Sequence, residues 1–307
     1  MMAMEFSGFR KILVASDFSS HSKIAFARAV ELASAFQSEV YVAHCLPDLA
    51  LIPSASEFGL PYNDYAITQE EFRRDATISM KNFLEGNVPQ GQAVHTKVLV
   101  GDPHIELSQL AQQWGADLVV AGRSGHSGWE QFILGSTTRG LVHRSPTSVL
   151  AVSDHWVEKT ENVLAGTDFS DASKKAVLEG AAIAEKQNAT LHLLHVIDSA
   201  DAPEQSVAAM TNGESIRQSI KEKALSRLDA LVHSLEIDTT KLQVHLSWGT
   251  PWRDMCQTAE KIKAELIVIG NLGRRGIKGL VLGNTADRIL GHSKSSVLAV
   301  KEHNSLS

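Results

Sequence analysis

Residues 122–137 read GRSGHSGWEQFILGST, and residues 270–285 read GNLGRRGIKGLVLGNT. The two stretches space their glycines alike: Gly122, Gly125 and Gly135 match Gly270, Gly273 and Gly283, each 148 residues further on. Each stretch follows a short apolar run, Leu118–Ala121 or Leu266–Ile269, of the kind that forms a buried strand. A glycine-rich turn between a strand and a helix offers backbone N–H groups that can hold phosphate. The chain therefore carries two such turns, or one site and one relic.

The repetition reaches outward from the glycines. LVASDFSSHSKIA at 13–25 aligns with LAGTDFSDASKKA at 164–176, so that Asp17, Phe18 and Ser19 recur as Asp168, Phe169 and Ser170. His44 recurs as His195, Gly101 and Pro103 as Gly249 and Pro251, and VLAV at 149–152 returns at 297–300. Two long copies mean duplication of a whole domain, not a short-period solenoid. The expected domains are 1–154 and 155–307, joined near Ser153–Thr160.

Each copy alternates strands with helices, which implies an α/β fold with a doubly wound, five-stranded parallel sheet. In the first copy the strands are Ile12–Ala15, Val40–Leu46, Val94–Val100, Leu118–Ala121 and Ser148–Val152. Ser19 or Ser20 can cap a helix running to Phe36, with Ile24, Ala27, Val30 and Ala33 on one face. Residues 47–67 read as loop, Glu70–Leu84 as helix, and Pro103 opens a helix to about Trp114. Ser136 begins a short helix before the last strand. The second copy repeats the order, with a longer helix at Glu214–Leu235. A ligand is expected beyond the carboxyl ends of the strands, where strand order reverses.

Composition excludes several classes. The 307 residues are 43% hydrophobic and 21% charged, as in a soluble globular protein. No apolar run is long enough to span a membrane, and the N-terminal stretch lacks a signal-peptide pattern, so a cytoplasmic protein is expected. A net charge of −6 argues against a nucleic-acid partner. Cys45 and Cys256 build no disulfide framework, and the 13 histidines show no metal-ligand spacing. GxxxxGK[ST] and GxGxxG are both missing, and GRSGHSG misses the spacing of a GxSxG nucleophile elbow.

The Asp-Phe-Ser turn after one strand, the histidine at the end of the next, and G-x2-G-x9-G-[ST] before the final helix together resemble the universal stress protein family, in its tandem two-domain form. The resemblance covers essentially the whole chain. It implies two Rossmann-like or flavodoxin-like domains and binding of ATP or AMP, with Mg²⁺ as an accompanying ion. It implies a stress-response or signalling role without enzymatic chemistry. By position, Asp17 corresponds to the acid that contacts the nucleoside. Ala15, with Ser16, lies beside the adenine, and Cys45 offers backbone contacts to the base. Ala121, Gly122, Ser124 and Gly125 bring backbone to the ribose and phosphates, and Gly135, Ser136 and Thr137 hold phosphate oxygens. The weaker counterparts in the second copy are Asp168, Val196, Gly270, Gly273, Gly283, Asn284 and Thr285. Family dimers pair through the last strand, so pairing of the two domains within the chain, or a homodimer, is implied as well.

Simpler readings stand beside these. Asp17 could cap the following helix, Gly122 and Gly125 could be turn glycines, and Ser136 is a natural N-cap. His44 and His195 read as satisfied histidines at strand ends. A slow ATPase or self-phosphorylating protein is one alternative, and an interaction module without nucleotide is another. The copies also differ: Gly135-Ser136-Thr137 becomes Gly283-Asn284-Thr285, and Arg139 becomes Asp287. A carboxylate repels phosphate and a guanidinium attracts it. Arg274, Arg275 and Lys278 in the second loop work the other way. On balance the first copy is expected to bind better.

Overall fold

Five short apolar strands pair in parallel to make the sheet of the first half. The computed structural model describes residues 6, 8–51, 62–123, 134–154, 159–200, 213–238, 240–271 and 282–301. Contacts divide them into one unit at Phe9–Asp154 and another that takes the residues from 155 onward together with those before Phe9. In the first unit, β1 (Lys11–Ala15), β2 (Glu39–Leu46), β3 (Val94–Val100), β4 (Leu118–Gly122) and β5 (Ser148–Val152) take the order β3-β2-β1-β4-β5. Leu13, Val14, Val42, Val119 and Val149 are fully buried, because helices cover both faces of such a sheet. The helices are α1 (Ser20–Phe36), α2 (Tyr62–Leu84), α3 (Pro103–Trp114) and α4 (Ser136–Arg144).

The second unit repeats this plan. Its strands are β6 (Asn162–Gly166), β7 (Thr190–Asp198), β8 (Leu242–Gly249), β9 (Leu266–Gly270) and β10 (Ser296–Val300), in the order β8-β7-β6-β9-β10. Its helices are α5 (Asp171–Lys186), α6 (Gly213–Ser234), α7 (Pro251–Ile262) and α8 (Asn284–His292). The doubly wound α/β reading therefore holds in both halves.

Two local expectations change. Helix α2 starts at Tyr62, not Glu70, directly after Pro61, and a 3₁₀ turn occupies Leu49–Leu51. Proline is well suited to the edge of a helix, so its presence marked a start within the segment read as loop. On α1 the buried stripe is Ala25, Phe26, Ala29, Leu32 and Ala33, whereas Ile24 and Ala27 are only half-buried. Alanines against the sheet let the helix approach closely, and Phe26 fills the remaining gap against Phe83 with ring centroids 5.5 Å apart.

Strand order reverses between β2 and β4, the two neighbours of β1: β1 pairs with β2 on one side and with β4 on the other. The chain leaves β1 and β4 at the same end, so the segments that follow them border one crevice.

Candidate functional site

The turn after β1 is held by its own side chains. Ser19 caps α1, accepting the Ser22 N–H at 3.2 Å. The Asp17 carboxylate accepts the Ser19 N–H at 3.0 Å, and the Ser16 hydroxyl accepts the Phe18 N–H at 3.1 Å. Phe18 sits at φ 63°, a left-handed conformation that costs a bulky side chain about 1–2 kcal/mol. His44 at the end of β2 offsets this strain. Its Nδ1–H donates to the Ser16 carbonyl at 2.7 Å and its ring stacks on Phe18, with centroids 4.3 Å apart. The satisfied-histidine reading of His44 is thus the structural one. The second unit builds the same turn: Phe169 lies at φ 66°, and His195 Nδ1 bonds the Thr167 carbonyl at 2.8 Å.

Across the crevice, β4 ends in Gly122. A Cβ there would lie 3.2 Å from the backbone of His21 in the first turn of α1. The glycine therefore serves close approach of strand to helix, without a positive φ. The loop that follows is closed at its neck, where the Gly135 N–H donates to the Arg123 carbonyl at 2.6 Å. Gly283 closes the second loop on Asn271 in the same way at 2.7 Å. These paired necks account for the repeated spacing of the last glycine. Ser124, Gly125 and Gly273, together with Arg274, Arg275 and Lys278, lie outside the described residues.

Helix α4 then begins with Gly135 as its N-cap and with no side-chain cap hydrogen bond. Ser136 is the first helical residue and not the cap, because the extended backbone of the cap position, ψ 148°, falls on Gly135. The same holds for Gly283 and Asn284 at α8. The cap residue of each helix thus gives the first N–H groups no side-chain acceptor, and such a helix start favours an anion. Thr138 fixes the helix start: its hydroxyl donates to the Gly122 carbonyl at 2.6 Å.

Together these segments line a cleft of about 310 Å³. Ala15, Ser16, Asp17, Cys45, Ala121, Gly122, Gly135, Ser136 and Thr137 all border it, as do Ser22, His44, Pro103, Leu107 and Thr138. Sequence reading missed these last as lining residues. Pro103 and Leu107 lie one turn apart on α3, a spacing that a search of the helix facing the strand ends would have found. The Cys45 Sγ donates to the Gly101 carbonyl at 3.5 Å. Burial pushes its thiol up to about 12, and the carboxylates of Glu106 and Asp102 add to the rise. Cys45 is therefore a neutral thiol in the wall and not a nucleophile. One wall of the cleft is apolar (Ala15, Leu107, Ala121), while Asp17 and the start of α4 supply an acid and N–H donors. A flat apolar base with a hydroxylated, anionic tail fits that division.

In the second unit Asp168 follows β6, Val196 lies in β7 and Gly270 ends β9. The Asp168 carboxylate accepts the Ser170 N–H at 3.0 Å, as Asp17 does in the first unit. Asn284 differs from Ser136 in engagement as well as in size, since its amide oxygen accepts the Arg288 Nε–H at 3.0 Å. Among the described residues no cluster of three or more His, Cys, Asp or Glu could hold a metal ion. Among them, too, no helix is long and apolar enough to cross a membrane.

This pairing of a doubly wound sheet with an Asp-Phe-Ser turn and a glycine loop defines the class. The model of the universal stress protein family matches residues 8–153 and again 159–301, so the chain belongs to that family, with two family domains in tandem. The universal stress protein E homolog of Haemophilus influenzae is 25% identical over 321 residues, covering 95% of this chain and 97% of its own length. The universal stress protein A homolog 1 of Coxiella burnetii is 29% identical over 140 residues, covering 46% of this chain and 95% of its own. A universal stress protein structure from Archaeoglobus fulgidus superposes with a TM-score of 0.66 at 19% identity, covering 97% of this chain and 99% of that one. This last likeness speaks to the fold alone.

Proposed function

We propose that the first unit binds an adenine nucleotide, ATP or AMP, and that the chain serves stress response or signalling through that binding, without chemistry of its own. The observation that carries the reading is the start of α4, where Gly135 leaves the helix N–H groups without a side-chain cap at a cleft that also holds Asp17. An anion at such a helix start gains about 0.3–1 kcal/mol from the backbone dipoles, before any specific contact.

In this reading Asp17 accepts hydrogen bonds from the ribose hydroxyls, and the apolar wall of Ala15, Leu107 and Ala121 receives the adenine. The backbone of Cys45 reads its edge. Gly122 admits the sugar, and the N–H and hydroxyl groups of Gly135, Ser136 and Thr137 hold the phosphates. Ser124 and Gly125 join them by sequence position, and Mg²⁺ would arrive with the phosphates. The domains at 1–154 and 155–307 each form one such family unit, the second with the weaker site.

Calorimetric titration of the full chain with ATP, AMP and GTP tests this. The expected result is saturable binding of an adenine nucleotide that survives EDTA in weakened form, with GTP at least tenfold weaker. Equal or absent heats for all three nucleotides would overturn it.

A further inference from the structure

The first cleft is open where Ala15, Leu107 and Ala121 face it. Their counterparts in the repeat are Gly166, Met255 and Ile269. The second copy therefore loses a methyl group on its first strand, gains bulk on the neighbouring strand, and exchanges the branched leucine of the helix for a methionine of similar volume but longer reach. Both side chains reach towards the glycine. A Cβ on Gly166 would lie 3.0 Å from both the Met255 Cε and its Sδ, and 3.7 Å from the Ile269 Cγ2. Met255 is only 3% exposed and Ile269 only 6%.

These contacts leave no slot for a ring. Two carbon surfaces in contact sit about 3.5–4.0 Å apart, so a planar base needs twice that between its walls. Here the thioether already stands closer than contact distance to where a Cβ of residue 166 would be, the side of the strand that a base would have to cover. Methionine, unbranched and polarizable, is the side chain best suited to fill an irregular gap of this kind. The glycine is part of the same fit, because an alanine at 166 would place its methyl against Met255.

We infer that Met255 and Ile269 occupy the base end of the second unit's cleft, so that these side chains, ahead of Asn284, determine that the chain takes one adenine nucleotide and not two. The inference rests on the nucleotide reading of the first unit. It moves the decisive difference between the copies from the phosphate end to the base end.

Reciprocal exchange tests it in the full chain, with radiolabelled ATP and equilibrium dialysis giving the stoichiometry. Wild type takes one equivalent. Met255→Leu with Ile269→Ala, the residues of the first unit, takes two. Leu107→Met with Ala121→Ile weakens the first site at least tenfold. Asn284→Ser alone leaves the count at one. Melting curves check each fold, and Met255→Leu with Ile269→Val, a smaller change in volume, keeps the test alive if the alanine variant unfolds. It is expected to strengthen second-site binding severalfold. Two equivalents in wild type, a second equivalent from Asn284→Ser alone, or one equivalent in wild type and still one in the opened variants would each overturn the inference. Zero in wild type and one in the opened variant would reject the first-unit reading while supporting the role of Met255. Zero in both would reject both.

Discussion

The Thr138 hydroxyl donates to the Gly122 carbonyl at 2.6 Å, tying the start of α4 to the end of β4. Thr138 is 4% exposed, so its hydroxyl is held away from water, while Gly122 is half-buried at the edge of the cleft. The repeat counterpart of Thr138 is Ala286, which makes no such tie. Thr138→Val keeps the shape and leaves a part-buried carbonyl without this donor. It should lower the stability of the first unit by about 1–2 kcal/mol. ATP affinity should fall about fivefold as the helix start loosens. Urea melts and calorimetry read the two effects separately.

Asp17→Asn separates the turn from the ligand. The Asn side-chain oxygen can still accept the Ser19 N–H, which Asp17 accepts at 3.0 Å. The melting temperature should therefore hold. Hydrogen bonds from ribose hydroxyls to a carboxylate contribute about 1.5–3 kcal/mol, against about 0.5–1.5 kcal/mol for those to a neutral amide. ATP affinity should fall about tenfold or more. An equal loss of stability and affinity would mean that Asp17 serves only the turn.

The frame of both units was legible because duplication prints the pattern twice. Two parallel strands, Val94–Val100 and Ser148–Val152, have the bounds their apolar runs suggest. The Asp-Phe-Ser turn was recognisable as a unit, but not the strain at Phe18, since a bulky residue at positive φ is the reverse of what propensity predicts. Gly122 read as a ligand-facing glycine. It does border the cleft, and its missing side chain also makes room for the backbone of His21, a contact between elements about a hundred residues apart that no local pattern announces. Met255 was hidden for the same reason. On α7 it is one more apolar residue at helical spacing, and only its distance from Gly166 distinguishes it from core.

Cys45 should resist alkylation. Its thiol is pushed up to about 12, so the thiolate is a minor species at pH 8. Maleimide labelling of Cys45, followed by peptide mass spectrometry, should be at least a hundredfold slower than for a free cysteine peptide. Saturating ATP should slow it further, because Cys45 borders the cleft. Fast labelling that ATP leaves unchanged would remove Cys45 from the wall.

Gly122 and Gly270 should tolerate a methyl group unequally. At Gly122 the added Cβ would meet His21 backbone at 3.2 Å, whereas at Gly270 it would meet Ala172 backbone carbon at 2.8 Å and the Ser173 nitrogen at 2.9 Å. Backbone cannot rotate away as a side chain can, so the helix must shift. Gly270→Ala should cost about 2–3 kcal/mol and Gly122→Ala about 1 kcal/mol, within the usual range for overpacking. Urea melts of the two variants check the order.

Acid should destabilise the second unit before the first through a buried imidazole. His192, 3% exposed, donates from Nε2 to the Asn162 side-chain oxygen at 3.1 Å. Its Nδ1 accepts from His245 Nε2 at 2.9 Å. Burial, with His245 beside it, lowers His192 from 6.5 to about 4. Burial lowers His245 too, with Lys261 on α7 adding to it. Below pH 6.5 the unfolded chain takes a proton on His192 that the folded chain refuses until about pH 4. Stability is therefore full above 6.5 and falls as pH drops towards 4, by about 1.4 kcal/mol per pH unit for one such proton. Hydrogen exchange of the β7 amides between pH 7.5 and 4.5, corrected for intrinsic rates, should show this loss of protection. His192→Gln, which keeps a hydrogen-bonding side chain without the titration, should flatten the slope. An unchanged slope in His192→Gln would assign the acid sensitivity to other groups.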